Sequence, residues 1–157
     1  FKLLSVKGEW IVPGSEYFQG LLMTVMEPEE LLVEIQILSL PERCGWSFKE
    51  VARRPHDFAL VGVVAVVTLD NKNRCEAARL VYLSAGDGPI TAVEAGEMLV
   101  GEEITSELIE AAAEKAAADE IDPGSDIHAT AEFRRHLANV LTRRALEEAL
   151  ERAGGGK

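Results

Sequence analysis

The sequence predicts an α+β fold in which a three-stranded antiparallel sheet packs against a layer of three helices. Between Trp46 and Gly86 three β-branched or aromatic runs are separated by short turn signals. From Thr91 onward the hydrophobic period changes from that of a strand to that of a helix. The chain then closes on a long amphipathic stretch, TAEFRRHLANVLTRRALEEALERA, opened by a capping residue. Strands followed by helices place the helices on one side of an antiparallel sheet.

The first 40 residues alternate short apolar runs with turns. LLSVKGEWIVP reads as a strand, a Lys-Gly turn and a second strand stopped by Pro13. In MEPEELLVEIQIL the Pro-Glu-Glu corner leads into a period-two pattern from Val33 to Ile37, which predicts a half-buried strand. These strands are too few to close a core and read as the end of something larger.

After the loop LPERCG, the stretch WSFKEVARR predicts a bulged strand with Trp46, Phe48 and Val51 along one side. FALVGVVAVVTL follows, and its near-continuous apolar character predicts a central strand covered on both faces, with Val64 and Val66 inside. Asp70 and NKN at 71–73 are hairpin chemistry, because Asn tolerates positive φ. CEAARLVYLSAG returns as the third strand.

AVEAGEMLV predicts a short helix ended by Gly101. In TSELIEAAAEKAAA, Leu108, Ile109, Ala112, Ala113 and Ala116 share one helical face. In the last helix Phe133, Leu137, Val140, Leu141, Ala145 and Leu150 form the apolar stripe, with Thr130 as N-cap. GGGK is a frayed tail.

The 157 residues suffice for one domain, or for one domain and part of another. A net charge of −11 argues against nucleic acid as partner, because neutralising phosphates needs a basic surface. The longest apolar run, ALVGVVAVV, is half the length of a membrane span. No leader is read at Phe1, and a chain opening on Phe is read as cut or processed at its front. Cys44 and Cys75 make no metal motif; a disulfide stays open, with two cytoplasmic free thiols the preferred reading.

Motifs that carry chemistry are scarce. No phosphate-binding glycine loop, HExxH or nucleophile elbow is present. His56, His128 and His136 are scattered, and paired acids such as Glu102 and Glu103 read as solvated. The feature that stands out is RRPHDF at 53–58, a charged corner set against the most apolar strand. It is either an ordinary strand entry, with the arginines bridging Asp57 and its neighbours, or the rim of a ligand site.

Three segments together carry a resemblance: YFQGLLMTVMEPEELLVEIQI, GWSFKEVARRPHDFALVGVVAVVTLD and DIHATAEFRRHLANVLTRRALEEAL. They resemble the FAD-binding medium subunit of the molybdenum hydroxylases, the family of aerobic carbon monoxide dehydrogenase and xanthine dehydrogenase. The likeness runs from about residue 3 to residue 152. It implies that residues 1–40 are the C-terminal end of an FAD-binding domain. Residues 41–157 are then the flavoprotein C-terminal domain, a three-stranded sheet with a three-helix bundle.

The resemblance further implies an oxidoreductase complex. A large subunit carries the molybdenum cofactor, a small subunit carries two [2Fe-2S] clusters, and FAD in the medium subunit passes electrons to an acceptor. Leu32 matches a leucine beside the flavin and Lys49 a lysine that contacts FAD. The loop Arg53 to Phe58, with Arg54 and Asp57, matches a segment close to the isoalloxazine. A flat apolar ring tied to a pyrophosphate wants apolar walls and a few cations, which suits these residue types.

The chain departs from the family in three places. Glycine motifs of the AGGTDL and TIGGN type are unmatched, His56-Asp57 replaces a GD or DD pair, and Leu22 stands where an aromatic is common. The 157 residues alone are therefore expected to be inactive and to hold FAD weakly. The other reading is a non-catalytic α+β assembly module that has lost flavin binding.

Overall fold

The computed structural model of the chain describes residues 1–20 and 22–155. The last two residues of the GGGK tail and Leu21 of the GLLMT stretch lie outside them. The chain divides into two compact units, Phe1–Leu40 and Pro41–Lys157.

The first unit holds β1 (Lys2–Ser5), β2 (Gly8–Ile11), a single helical turn α1 (Gly14–Tyr17), the short pair β3 (Phe18–Gly20) and β4 (Met23–Thr24), and β5 (Leu31–Glu34). β2, β1 and β5 form one antiparallel sheet in that order. Gly8 makes the expected Lys-Gly turn with φ +128°, a conformation in which a Cβ would be strained. Leu3, Val12 and Tyr17 are its buried hydrophobics, and the Phe1 ring stacks on Tyr17 at 4.0 Å.

The strand expected over Val33–Ile37 instead starts at Leu31 and stops at Glu34, and all four of its residues are exposed. Alternation set the right period, but a core of three buried side chains cannot cover a further face.

The second unit contains β6 (Cys44–Ala52), β7 (Ala59–Leu69), β8 (Cys75–Leu83) and a two-residue β9 (Ile90–Thr91), antiparallel in that order. Three helices follow: α2 (Val93–Glu97), α3 (Ser106–Lys115) and α4 (Ala131–Ala153). The meander and its helical layer are those the sequence predicts, with β9 added as a short edge. The hairpin at 70–74 forms as its residues dictate: Asn73 has φ +62°, and the Asp70 carboxylate accepts from the Lys72 and Arg74 amides at 2.8 Å each.

β7 is central but is covered fully on one face only. Val61, Val63, Ala65 and Val67 are completely buried against the helices. Val64 and Val66, expected inside, are only half-buried and share the open face with Trp46 and Phe48, which are 49% and 46% exposed. Val51 does not join that row; it packs on the helix-side core, and the bulge falls after it. Each fully buried valine stabilises the fold by roughly 1.5–3 kcal/mol.

The buried stripe of α4 is built from smaller residues than expected: Ala138, Leu141, Thr142, Ala145, Leu146, Ala149 and Ala153, while Phe133 is half-exposed. Small residues let the helix lie close to the sheet. At Gly45 on β6 a Cβ would overlap the Ala149 carbonyl oxygen and come 2.5 Å from the Ala153 nitrogen. The buried Thr142 hydroxyl donates to the Ala138 carbonyl at 2.7 Å, so Tyr82 donates to Thr142 at 2.5 Å. Burial pushes that phenol up to about 12.

Thr130 caps α4 as expected, accepting from the Phe133 amide at 3.1 Å. Past Lys115, α3 widens into a π-helical turn, Ala116–Glu120, that the apolar period did not reveal. Arg135 donates to the freed carbonyls of Ala117, Ala118 and Ile121 at 3.0, 3.2 and 2.5 Å.

Candidate functional site

The corner RRPHDF folds on itself. The Asp57 amide donates to the Arg54 carbonyl at 3.2 Å, closing a turn with Pro55 second and His56 third. Pro fixes φ at the second position, and His56 has φ +65°, the combination of a type II turn. His tolerates the left-handed region better than bulky or branched residues do. One Asp57 oxygen accepts from the Phe58 amide at 2.9 Å and the other faces Arg53 at 3.7 Å. The bridge expected between the arginine pair and Asp57 is thus made by Arg53. Arg54 is exposed and has no carboxylate in ion-pair reach among the described residues.

Arg134 near the start of α4 fixes the first residues of β7, just beyond this corner. It is 7% exposed and donates through Nη1 to the Leu60 carbonyl at the start of β7, while Nη2 meets Asp126 at 2.7 Å. Asp126 also accepts from the amides of His128 and Ala129 at 2.8 and 2.9 Å. Those two amides, with Arg134 behind them, hold the Asp126 carboxyl down at about 2. The start of β7, just after RRPHDF, and the segment DIHATAEFRR, distant in sequence, are therefore tied together through one buried cation.

Between them opens a cleft of about 380 Å³. Arg53 and Phe58 line it from the β6–β7 loop, Ser84 and Gly86 from the end of β8, and Asp126 and His128 from the entry to α4. Phe58 is 92% exposed at its edge. The cleft presents one apolar ring and charges that are largely paired, so it offers shape and polarity rather than a strong field.

Lys49 lies on the side of β6 that faces α4. Its ammonium pairs with Glu148, whose carboxylate also accepts from the buried Ser47 hydroxyl at 2.9 Å and from Arg152. The lysine, then Ser47 and the arginine, keep the Glu148 carboxyl below its usual range. Arg152 is held further by the Trp46 carbonyl at 2.5 Å and lies 4.7 Å over the Trp46 ring. Ser47, Glu148 and Arg152 escaped the sequence reading. The i,i+4 spacing of Glu148 and Arg152 marked a helix pair but not its partner on β6.

Of the residues singled out from sequence, Lys49, Arg54 and Asp57 belong to the second unit. Leu32 belongs to β5 of the first, opposite Leu3 and 37% exposed. His128 borders the cleft and His136 is exposed on α4. Both cysteines are free; burial raises the Cys75 thiol to about 11 and leaves it inert. No group of three or more His, Cys, Asp or Glu suited to a metal occurs among the described residues. No helix among them is long and apolar enough to cross a membrane.

Tested against a flavin, the corner offers residue types suited to the ring, an exposed Arg54 and the open Phe58 ring, whereas Lys49 is paired with Glu148 on the α4 side of β6 and does not line the cleft. The pyrophosphate end has no counterpart among the described residues: the left-handed glycines Gly8, Gly101 and Gly155 sit singly in turns and form no paired-glycine cradle.

Comparison with known proteins sharpens these observations. Residues 46–149 match the family model described as CO dehydrogenase flavoprotein C-terminal domain. The chain is 34% identical to the 6-hydroxypseudooxynicotine dehydrogenase complex subunit alpha of Paenarthrobacter nicotinovorans, over 95% of this chain and 50% of that one. It is 33% identical to the carbon monoxide dehydrogenase medium chain of Afipia carboxidovorans, over 98% of this chain and 52% of that one. Among solved structures, carbon monoxide dehydrogenase from Hydrogenophaga pseudoflava superposes with a TM-score of 0.90 at 28% identity, covering 97% of this chain and 52% of its own. Quinoline 2-oxidoreductase from Pseudomonas putida 86 gives 0.85 at 32% identity, with the same two coverages. The chain spans about half the length of the curated relatives it matches.

Proposed function

The chain belongs to the CO dehydrogenase flavoprotein C-terminal domain family, and we propose that it works as the C-terminal portion of the FAD-binding medium subunit of a molybdenum hydroxylase. Bound FAD would accept electrons and release them to a separate acceptor. The electrons would come from [2Fe-2S] clusters on a small subunit, fed by a molybdenum cofactor on a large subunit. The proposed division is residues 1–40 as the end of the FAD-binding domain and 41–157 as the C-terminal domain. The proposed location is cytoplasmic, in keeping with two free thiols.

In this reading Lys49 and Arg54 supply positive charge to the flavin, Leu32 an apolar contact, and Asp57 the turn that presents Arg54. The observation that carries it is the corner at 53–58. Arg134 fixes the start of β7 beside it, Asp57 folds it, and Arg54 is left exposed with no ion-pair partner among the described residues. A loop serving only as a strand entry has no need of that investment.

The test is Arg54→Ala in the full-length subunit. The melting temperature should stay unchanged, because Arg54 is exposed. The FAD dissociation constant should rise about tenfold, the equivalent of one charge-assisted hydrogen bond of about 1.5 kcal/mol. Unaltered FAD affinity and flavin spectrum would assign the corner to structure alone.

A further inference from the structure

Arg134 is 7% exposed, yet only two of its three side-chain nitrogens are bonded, Nη1 to the Leu60 carbonyl and Nη2 to Asp126. Its Nε is buried and has no hydrogen-bond partner among the described residues. Nε and Nη2 share one edge of the planar guanidinium, so the orphan N–H points the way of Asp126, which lines the cleft together with Arg134. A buried donor without an acceptor costs free energy that a ligand's acceptor atom recovers. The rest of the lining specifies that ligand. Asp57 and Asp126 balance Arg53 and Arg134, and each of their four carboxylate oxygens already faces a donor. Donors are left over: the Ser125 hydroxyl accepts from the Ala131 amide and keeps its own proton to give, and Ser84 and His128 face the same space. Phe58 adds an open apolar ring.

We propose that this cleft is a binding site for a flat, uncharged ring carrying carbonyl or ring-nitrogen acceptors, seated with one acceptor on the Nε edge of Arg134 and its face against Phe58. A charged ligand fits worse, because a lining without net charge does nothing to offset the loss of its water. A purely apolar one leaves the Arg134 N–H orphaned. The volume of about 380 Å³ lies at the small end of ligand pockets and suits one or two fused rings. The site stands apart from the flavin reading, since Lys49 and Arg54, the cations assigned to FAD, do not line it. Either assignment therefore survives the failure of the other.

The probe is quinazoline-2,4-dione, a neutral bicyclic ring with two carbonyls, titrated against the full-length subunit and followed by ligand-observed NMR. Benzoate serves as the charged control and thermal melting as the folding control. The dione should bind saturably, and benzoate about tenfold more weakly or not at all. Arg134→Lys keeps a cation for Asp126 but removes the Nε edge, and should weaken the dione about tenfold, the loss of one charge-assisted hydrogen bond. Phe58→Ala alters an exposed ring, should melt with the parent, and should also weaken the dione. It carries the test alone if Arg134→Lys does not fold. Absence of saturable dione binding, benzoate binding as tightly as the dione, or an affinity unmoved in a folded variant overturns the site.

Discussion

A single carboxylate, Asp126, ties the entry of α4 to the edge of the cleft. Two backbone amides and a buried guanidinium favour its charged form. Its carboxyl sits at about 2 in the folded protein, against an ordinary 3.8. The folded pKa is the lower of the two, so the unfolded chain binds the proton first as pH falls. The stabilisation is present above pH 3.8 and drains away toward pH 2. Melting temperatures followed from neutral pH through that window should fall in the parent, and Asp126→Asn should show a flatter acid limb. Equal slopes for the two proteins would mean that the Asp126 contacts do not survive in solution.

Among the elements, β7 shows what apolar pattern can and cannot say. Its valines announced a central strand, and it is central. They did not announce which face the helices cover, since Val, Ala and Val alternate with little polar contrast on either side. Val63 is fully buried, whereas Val66 is half-buried and lies opposite Arg79 on β8. Val63→Asp should abolish cooperative unfolding, because an unpaired buried charge costs several kcal/mol against a total stability of about 5–15. Val66→Asp should keep a cooperative thermal transition, with Arg79 available to pair. Two variants that melt alike would mean that both faces of the sheet are equally covered. The same limit applies to α4. Its caps and length were legible from Thr130 and the apolar period, but its buried stripe of alanines was not. Small residues mark close approach only once the partner, here Gly45, is known.

For the molecule as a whole, strand and helix order followed from periodicity. The corner at 53–58 stood out because charge meets an apolar run there. Arg134, Ser47 and Glu148 stayed hidden, because a buried cation and an ion pair spanning about 100 residues of sequence leave no local signature. Composition argued against a nucleic-acid partner but carried nothing that identified one, since acidic residues most often sit on solvated helical faces. The direct measurement is the cofactor content and visible spectrum of the chain's native complex, purified without denaturant. One FAD for each copy of this chain should co-elute with molybdenum and iron-sulfur subunits and give a flavin band. A colourless chain that elutes alone, free of flavin, molybdenum and iron, would remove it from electron transfer and leave an assembly module.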